Sequence, residues 1–188
     1  GYFEERAKTN DAVAIVKVKY DVYESVKHAV ELLNFKFDSG DKMLVKPSII
    51  APAYPYQAVN TNPELLDALL KILAKSGVKK ENTIVAEQSL TGDVFESAAR
   101  AGIIDVCRKN EVKFVDISNG PFEEIKIDGY AFKIFKEALS RKIINVPVMK
   151  TNSELGISGA IENLSRLLEE HDDVFINLTK ALDVFTIA

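Results

Sequence analysis

The chain has 188 residues, 47% hydrophobic and 28% charged, a balance that supports one folded domain and excludes a disordered, collagen-like or coiled-coil polypeptide. With 24 Lys+Arg against 28 Asp+Glu the formal charge is −4, which argues against a general nucleic-acid or anionic-membrane surface. No apolar run approaches the ~20 residues that a bilayer-spanning helix needs, and the single cysteine, Cys107, leaves no internal disulfide or multi-thiolate metal site and fits a reducing, cytoplasmic setting.

In chain order, two hydrophobic periods alternate. Residues 12–18 are β-branched and nearly continuous, which predicts a strand buried on both faces. Val22, Val26, Ala29, Val30 and Leu33 fall on one face of a helix over residues 21–34. After the turn at Ser39-Gly40-Asp41, residues 42–46 read as a second strand, completing a βαβ unit. The stretch 47–60, with Pro47, Pro52, Pro55, Tyr54 and Tyr56, is expected to be irregular. Asn62 as N-cap, Pro63 at the first helical position and Glu64 near the positive dipole end then open a helix. Its apolar face is Leu65, Leu66, Leu69, Leu70, Ile72 and Leu73, and Gly77 suits its stop.

Residues 83–87 read as a third strand, 89–93 as a loop, and 112–116 as a fourth strand. Between them Phe95, Ala98, Ala99, Ile103 and Val106 predict one broken helix or two short ones. The pattern then changes: Asn119-Gly120-Pro121 and Asp128-Gly129 bracket residues 122–127, and 130–135 follow, which predicts a β-hairpin. Residues 142–148 return to a core strand, 150–159 form a polar loop, and Ile161, Leu164, Leu167 and Leu168 mark an amphipathic helix. Residues 183–188 are strand-like. The expected architecture is a single α/β domain over residues 1–188, a mostly parallel sheet with flanking helices and a β-hairpin insertion.

In open α/β sheets, ligands settle at the carboxyl ends of strands. This sequence places Lys46, Ser48, Thr61 and Asn62 after the second strand, and Glu87, Gln88, Ser89 and Thr91 after the third. Lys150, Thr151, Asn152 and Ser153, then Gly156, Ser158 and Gly159, follow the later core strand. Two strand-end lysines, each leading through a hydroxyl- or amide-rich loop into a helix, make a pattern for binding a small anion. Gly156 and Gly159 let the backbone approach an oxyanion closely. The plainer reading is that the lysines are solvated and that Asn62 and Ser158 are ordinary caps; the anion reading rests on the pair. Neither a Walker loop nor G-x-G-x-x-G is present, so no nucleotide is specified.

Other residues carry less. Glu87 and Asp116 end neighbouring strands, where an acid either takes a proton or a metal or simply caps the next turn. His28 lies off the apolar face of its helix, and His171 sits in a charged run, residues 169–173, that reads as a solvated helix end. Cys107 beside Val106 reads as a small core residue rather than a nucleophile. Tyr54 and Tyr56 either cover a ligand or pack their loop. No metal site and no cofactor of this chain is expected beyond an unidentified small anion.

Several motifs follow in order: Val45-Lys46-Pro47-Ser48, Thr61-Asn62-Pro63-Glu64-Leu65, Ile84-Val85-Ala86-Glu87, Ala101-Gly102-Ile103, Asn119-Gly120-Pro121-Phe122, the run from Ile144 to Thr151, and the run from Gly156 to Leu164. Collinear over nearly the whole chain, the set resembles the bacterial and archaeal family called domain of unknown function 362. Members fused to ferredoxin-like iron–sulfur modules imply a redox setting and an iron–sulfur partner; no settled activity comes with the resemblance. This chain departs from the family pattern at Ser48 (usually Asn), Asn152 (commonly His), Glu162 (commonly Lys) and Gln88-Ser89 (often Ser-Pro). The resemblance also implies a C-terminal segment continuing past Ala188.

The expected function is binding of a small anionic metabolite or cofactor at the carboxyl edge of the sheet. Lys46 and Lys150 would supply charge, and Thr61, Asn62, Thr151, Ser158 and Gly159 hydrogen bonds. Glu87 would orient a ligand hydroxyl or metal, and in an enzyme Lys150 would stabilise a developing oxyanion. The alternative is a non-catalytic module docking on an iron–sulfur or electron-transfer partner. Oligomeric state and turnover are not specified by the sequence.

Overall fold

The computed structural model describes residues 12–88, 92–127, 130–153 and 156–169. The first helix, α1 (Val22–Leu32), is capped by Asp21, whose carboxylate accepts the Glu24 N–H at 3.1 Å. The expected strand over 12–18 does not form. Those residues have no ladder partner among the described residues, and Val13 and Ile15 are 86% and 92% exposed. β-branching favours a strand only where neighbours supply packing and hydrogen bonds, so the first βαβ unit lacks its leading strand.

β1 (Met43–Pro47) and β2 (Thr83–Glu87) are buried along their whole length, as befits parallel strands covered on both faces. Between them runs α2 (Pro63–Lys75), opened as expected by Asn62, whose side chain accepts the Glu64 N–H at 2.7 Å. α3 (Val94–Arg100) and α4 (Ile103–Lys109) are the two short helices, broken at Gly102. Gly102 has φ +77°, a left-handed conformation that favours glycine, and a Cβ there would stand in contact with the Pro63 ring at 3.4 Å. β3 (Lys113–Asp116) follows, then the hairpin of β4 (Phe122–Ile127) and β5 (Tyr130–Phe135). The turn expected at Asp128-Gly129 lies outside the described residues, as do 89–91, the region of His171 and the strand-like run 183–188.

β6 (Lys142–Val146) is the later core strand. The expected polar loop at 150–159 instead contains two paired antiparallel strands, β7 (Lys150–Asn152) and β8 (Gly156–Ser158). α5 (Ala160–Ser165) is shorter than the apolar pattern predicts: Leu167 and Leu168 lie beyond it, still buried, and Leu168 bridges to Ile134.

The main sheet has the order β3-β2-β1-β6, all parallel. One face carries the cluster of Met43, Val45, Leu66, Leu70, Leu73, Val85 and Ile103. The other carries Leu44, Ile84, Ala86, Ile134, Phe135, Leu167 and Leu168. Helices flank the first face, while the β4–β5 hairpin, with α5 and the turns beside it, closes the second; the hairpin is a wall of the core rather than an appendage. The chain runs from β1 outward to β2 and β3, then returns to place β6 on the other side of β1. The order therefore reverses between β1 and β6, and their carboxyl ends bound the crevice where ligands of open α/β sheets collect.

Candidate functional site

At this crevice lies Lys46, the penultimate residue of β1, which has no solvent exposure. A buried ammonium needs a counter-charge, and Glu87, at the end of β2, provides it: Lys46 Nζ is 2.5 Å from Glu87 Oε1. Burial pushes the Lys46 ammonium below the ordinary lysine range, opposed by the Glu87 charge; burial pushes Glu87 above the carboxylate range, opposed by Lys46. The carboxylate also accepts the N–H groups of Gln88 (2.9 Å) and Ile49 (3.3 Å). Lys46 and Glu87, both fully buried, are thus each other's charge partner.

Asn163 of α5 closes the cluster from the opposite face. Its Oδ1 is 3.4 Å from Lys46 Nζ, and its Nδ2 donates to the Lys46 carbonyl (3.2 Å) and to Asn145 Oδ1 (2.7 Å). Asn145 Nδ2 in turn donates to the Ala160 carbonyl at 2.8 Å. Thr61 ties the loops after β1 and β6 together: its Oγ1 accepts the Ser48 N–H at 2.7 Å and donates to the Val146 carbonyl at 2.6 Å.

Lys150 stands beside this brace. It is partly exposed, and its Nζ donates to Ser48 Oγ (3.0 Å) and the Val59 carbonyl (3.4 Å). Lys46 and Lys150 therefore reach the same crevice, one beneath the Ser48 loop and one against it. Burial lowers the Lys150 pKa; the charges of Glu162 and Glu87 act against this, and that of Arg166 with it.

Across the β7–β8 ladder Lys150 faces Ser158, which is buried and donates from Oγ to Glu162 Oε2 at 2.8 Å. Glu162 Oε1 accepts Arg166 Nε (3.1 Å) and Nη2 (2.5 Å). Burial alone would raise Glu162; the bonds from Arg166 and Ser158 and the charge of Lys150 hold it below the carboxylate range. Glu162 is thus neutralised by the arginine four residues on. Arg166 is 4% exposed, and its Nη1 is buried with no hydrogen-bond partner among the described residues. Its carbonyl accepts Gln88 Nε2 at 2.6 Å, which joins it to the Glu87 end of the cluster.

The remaining expected contacts divide. Asn62 is an exposed cap, Thr151 is exposed on β7 opposite Ile157, and Gly159 precedes α5 with open space where a Cβ would be. Asp116 accepts the Ser118 N–H and Asn119 Nδ2, a local turn. His28 is exposed. Cys107 is buried and its thiol is pushed up to about 12 by burial. Among the described residues no group of three or more His, Cys, Asp or Glu is placed to hold a metal, and no helix is long and apolar enough to cross a membrane. Sequence reasoning missed Arg166, Asn163 and Asn145. The readable signal for Arg166 was its i+4 spacing from Glu162.

A relative is the thylakoid-associated protein sll1697 of Synechocystis sp., 21% identical over 126 residues; the match covers 66% of this chain and 38% of that protein. The chain therefore spans well under half the length of this curated relative. The profile of the family described as domain of unknown function (DUF362) matches residues 43–180, and the chain belongs to that family.

Proposed function

We propose that this DUF362 member binds a small anionic metabolite or cofactor at the carboxyl edge of its sheet, in the crevice between the loops that follow β1 and β6. The observation that carries the reading is Lys150: an ammonium at the point where strand order reverses, hydrogen-bonded to two neutral oxygens and, among the described residues, to no carboxylate. Thr61 and Ser158 hold the loops on either side, and Lys46 paired with Glu87 makes a rigid floor. In this reading Asn62, Thr151 and Gly159 would contribute hydrogen bonds from the rim; the side chains of Asn62 and Thr151 are exposed. If the bound molecule is turned over, Lys150 is the group that stabilises a developing oxyanion. The lone, buried Cys107 suits a reducing compartment such as the cytoplasm.

The test is a thermal-shift screen of phosphates, carboxylates and nucleotides. A ligand at 100 times its Kd adds about 2.7 kcal/mol, and Lys150→Ala is expected to abolish the shift. No shift with any anion, or a shift that Lys150→Ala leaves intact, overturns the reading.

A second reading, a non-catalytic module docking on an iron–sulfur or electron-transfer partner, is favoured by Tyr56 and Met149, 84% and 80% exposed on the loops after β1 and β6, and by Ile157, 68% exposed on β8. Isolation of the full-length protein from its host tests it: a stoichiometric iron–sulfur partner supports it, and a colourless, partnerless preparation counts against it.

A further inference from the structure

Resting on the anion reading above, we propose that Arg166 is the second anchor of the ligand, and that the ligand presents a singly charged oxyanion group, a carboxylate or a phosphodiester, held between Arg166 Nη1 and Lys150 Nζ.

Arg166 has one side of its guanidinium occupied: Nε and Nη2 both donate to Glu162 Oε1. Nη1 is the one buried side-chain nitrogen or oxygen among the described residues left without a hydrogen bond. A buried donor with no acceptor is costly to a fold, and native structures keep such groups where something else completes them. The connection to Lys150 is structural: Lys150 pairs with Ser158 across β7–β8, Ser158 bonds Glu162, and Glu162 bonds Arg166. Lys150 is partly exposed, so the cluster meets solvent on that side.

Charge sets the ligand class. Among the described residues the cluster holds three cations, Lys46, Lys150 and Arg166, and two carboxylates, Glu87 and Glu162. Each carboxylate already accepts a bond from its own cation, and one positive charge is in excess. A group carrying one negative charge balances it, whereas a dianion leaves a buried surplus of negative charge. A guanidinium edge and an ammonium on either side suit an oxyanion with at least two oxygens.

The experiment titrates the full chain with acetate and dimethyl phosphate as monoanionic probes and sulfate as a dianion, following the Arg166 side-chain nitrogen resonances by NMR alongside thermal shift. Both monoanions are expected to move the Arg166 Nη resonances and to bind more tightly than sulfate. If only one of them binds, that result fixes whether the group is a carboxylate or a phosphodiester, and the inference stands. Arg166→Lys, which keeps the charge and pairing with Glu162 but lacks the second fork nitrogen, is expected to weaken binding at least about tenfold with unfolding temperature little changed. Binding abolished by Lys150→Ala but untouched by Arg166→Lys, with unmoved Arg166 resonances, overturns this inference and leaves the site reading in place. Sulfate binding more tightly than both monoanions overturns the charge class. No binding of any probe to the wild-type chain overturns the inference and the site reading together.

Discussion

Lys46 Nζ lies 2.5 Å from Glu87 Oε1, and neither side chain has any exposure to solvent. The two ends of neighbouring parallel strands are therefore joined by a fully enclosed ion pair. Removing one partner strands the other charge, at a cost of about 3–5 kcal/mol. Lys46→Met and Glu87→Gln are each expected to destabilise by that order, and the double variant by clearly less than the sum, in urea denaturation. Additive losses would show that the pairing is not what the two residues share.

Thr61 serves two loops with one hydroxyl, accepting from Ser48 and donating to Val146. Thr61→Val leaves both backbone groups buried without their partner and is expected to cost about 2–3 kcal/mol. Thr61→Ser keeps the oxygen and is expected to cost less than half of that. Chemical denaturation of the three proteins decides it; a loss in Thr61→Ser as large as or larger than that in Thr61→Val would show that the hydroxyl is not the dominant contribution.

Lys150 must be charged to hold an anion, and burial lowers its pKa. Probe affinity is therefore expected to fall as pH rises, beginning nearer neutrality than an ordinary lysine would allow. Lys150→Arg, which stays charged, is expected to remove that alkaline decline. Parallel pH profiles of affinity for the two proteins check the point.

Asp67 on α2 accepts bonds from Lys71, Lys109 and Asn110 at 2.7–2.9 Å. Burial would raise its pKa, but these bonds bring it down to about 2. A lowered carboxylate pKa stabilises the fold above the unfolded value and loses that effect as pH falls through the folded one. Asp67→Asn is expected to cost about 1–2 kcal/mol at pH 7, with the difference from wild type closing as pH drops from about 4 toward 2. A difference independent of pH would assign the loss to packing.

Cys107 is expected to resist thiol reagents in the native protein at pH 8 and to react at once on unfolding, since its thiol is buried and held near 12. Fast modification of the folded chain would contradict its place in the core.

Much of the frame was legible because local signals agreed. Asn62, Pro63 and Gly77 delimit α2, and the continuous apolar runs of β1 and β2 announce strands covered on both sides. Residues 12–18 carry the same run without, among the described residues, the neighbours that make it a strand, and a pattern cannot report whether a partner is there. Lys150 was readable from its place after a core strand. Arg166 was not, because its meaning depends on where the chain turns after α5 and on Glu162 using only one side of its guanidinium. The sealing of Lys46 was hidden for a similar reason: a lysine at a strand end looks the same whether water or Glu87 meets it.

Asn163 reaches Lys46 across 117 positions of chain. During synthesis β1 and β2 leave the ribosome long before α5 does, so a nascent chain holds the ammonium and its carboxylate without the amide that covers them. The polar centre is consequently completed only when α5 arrives, after the apolar cluster on the first face of the sheet can already have assembled. A chain stopped short of α5 would keep the sheet's sequence and lose the cover, which makes the arrival of α5, rather than the formation of the sheet, the moment at which this crevice acquires its shape.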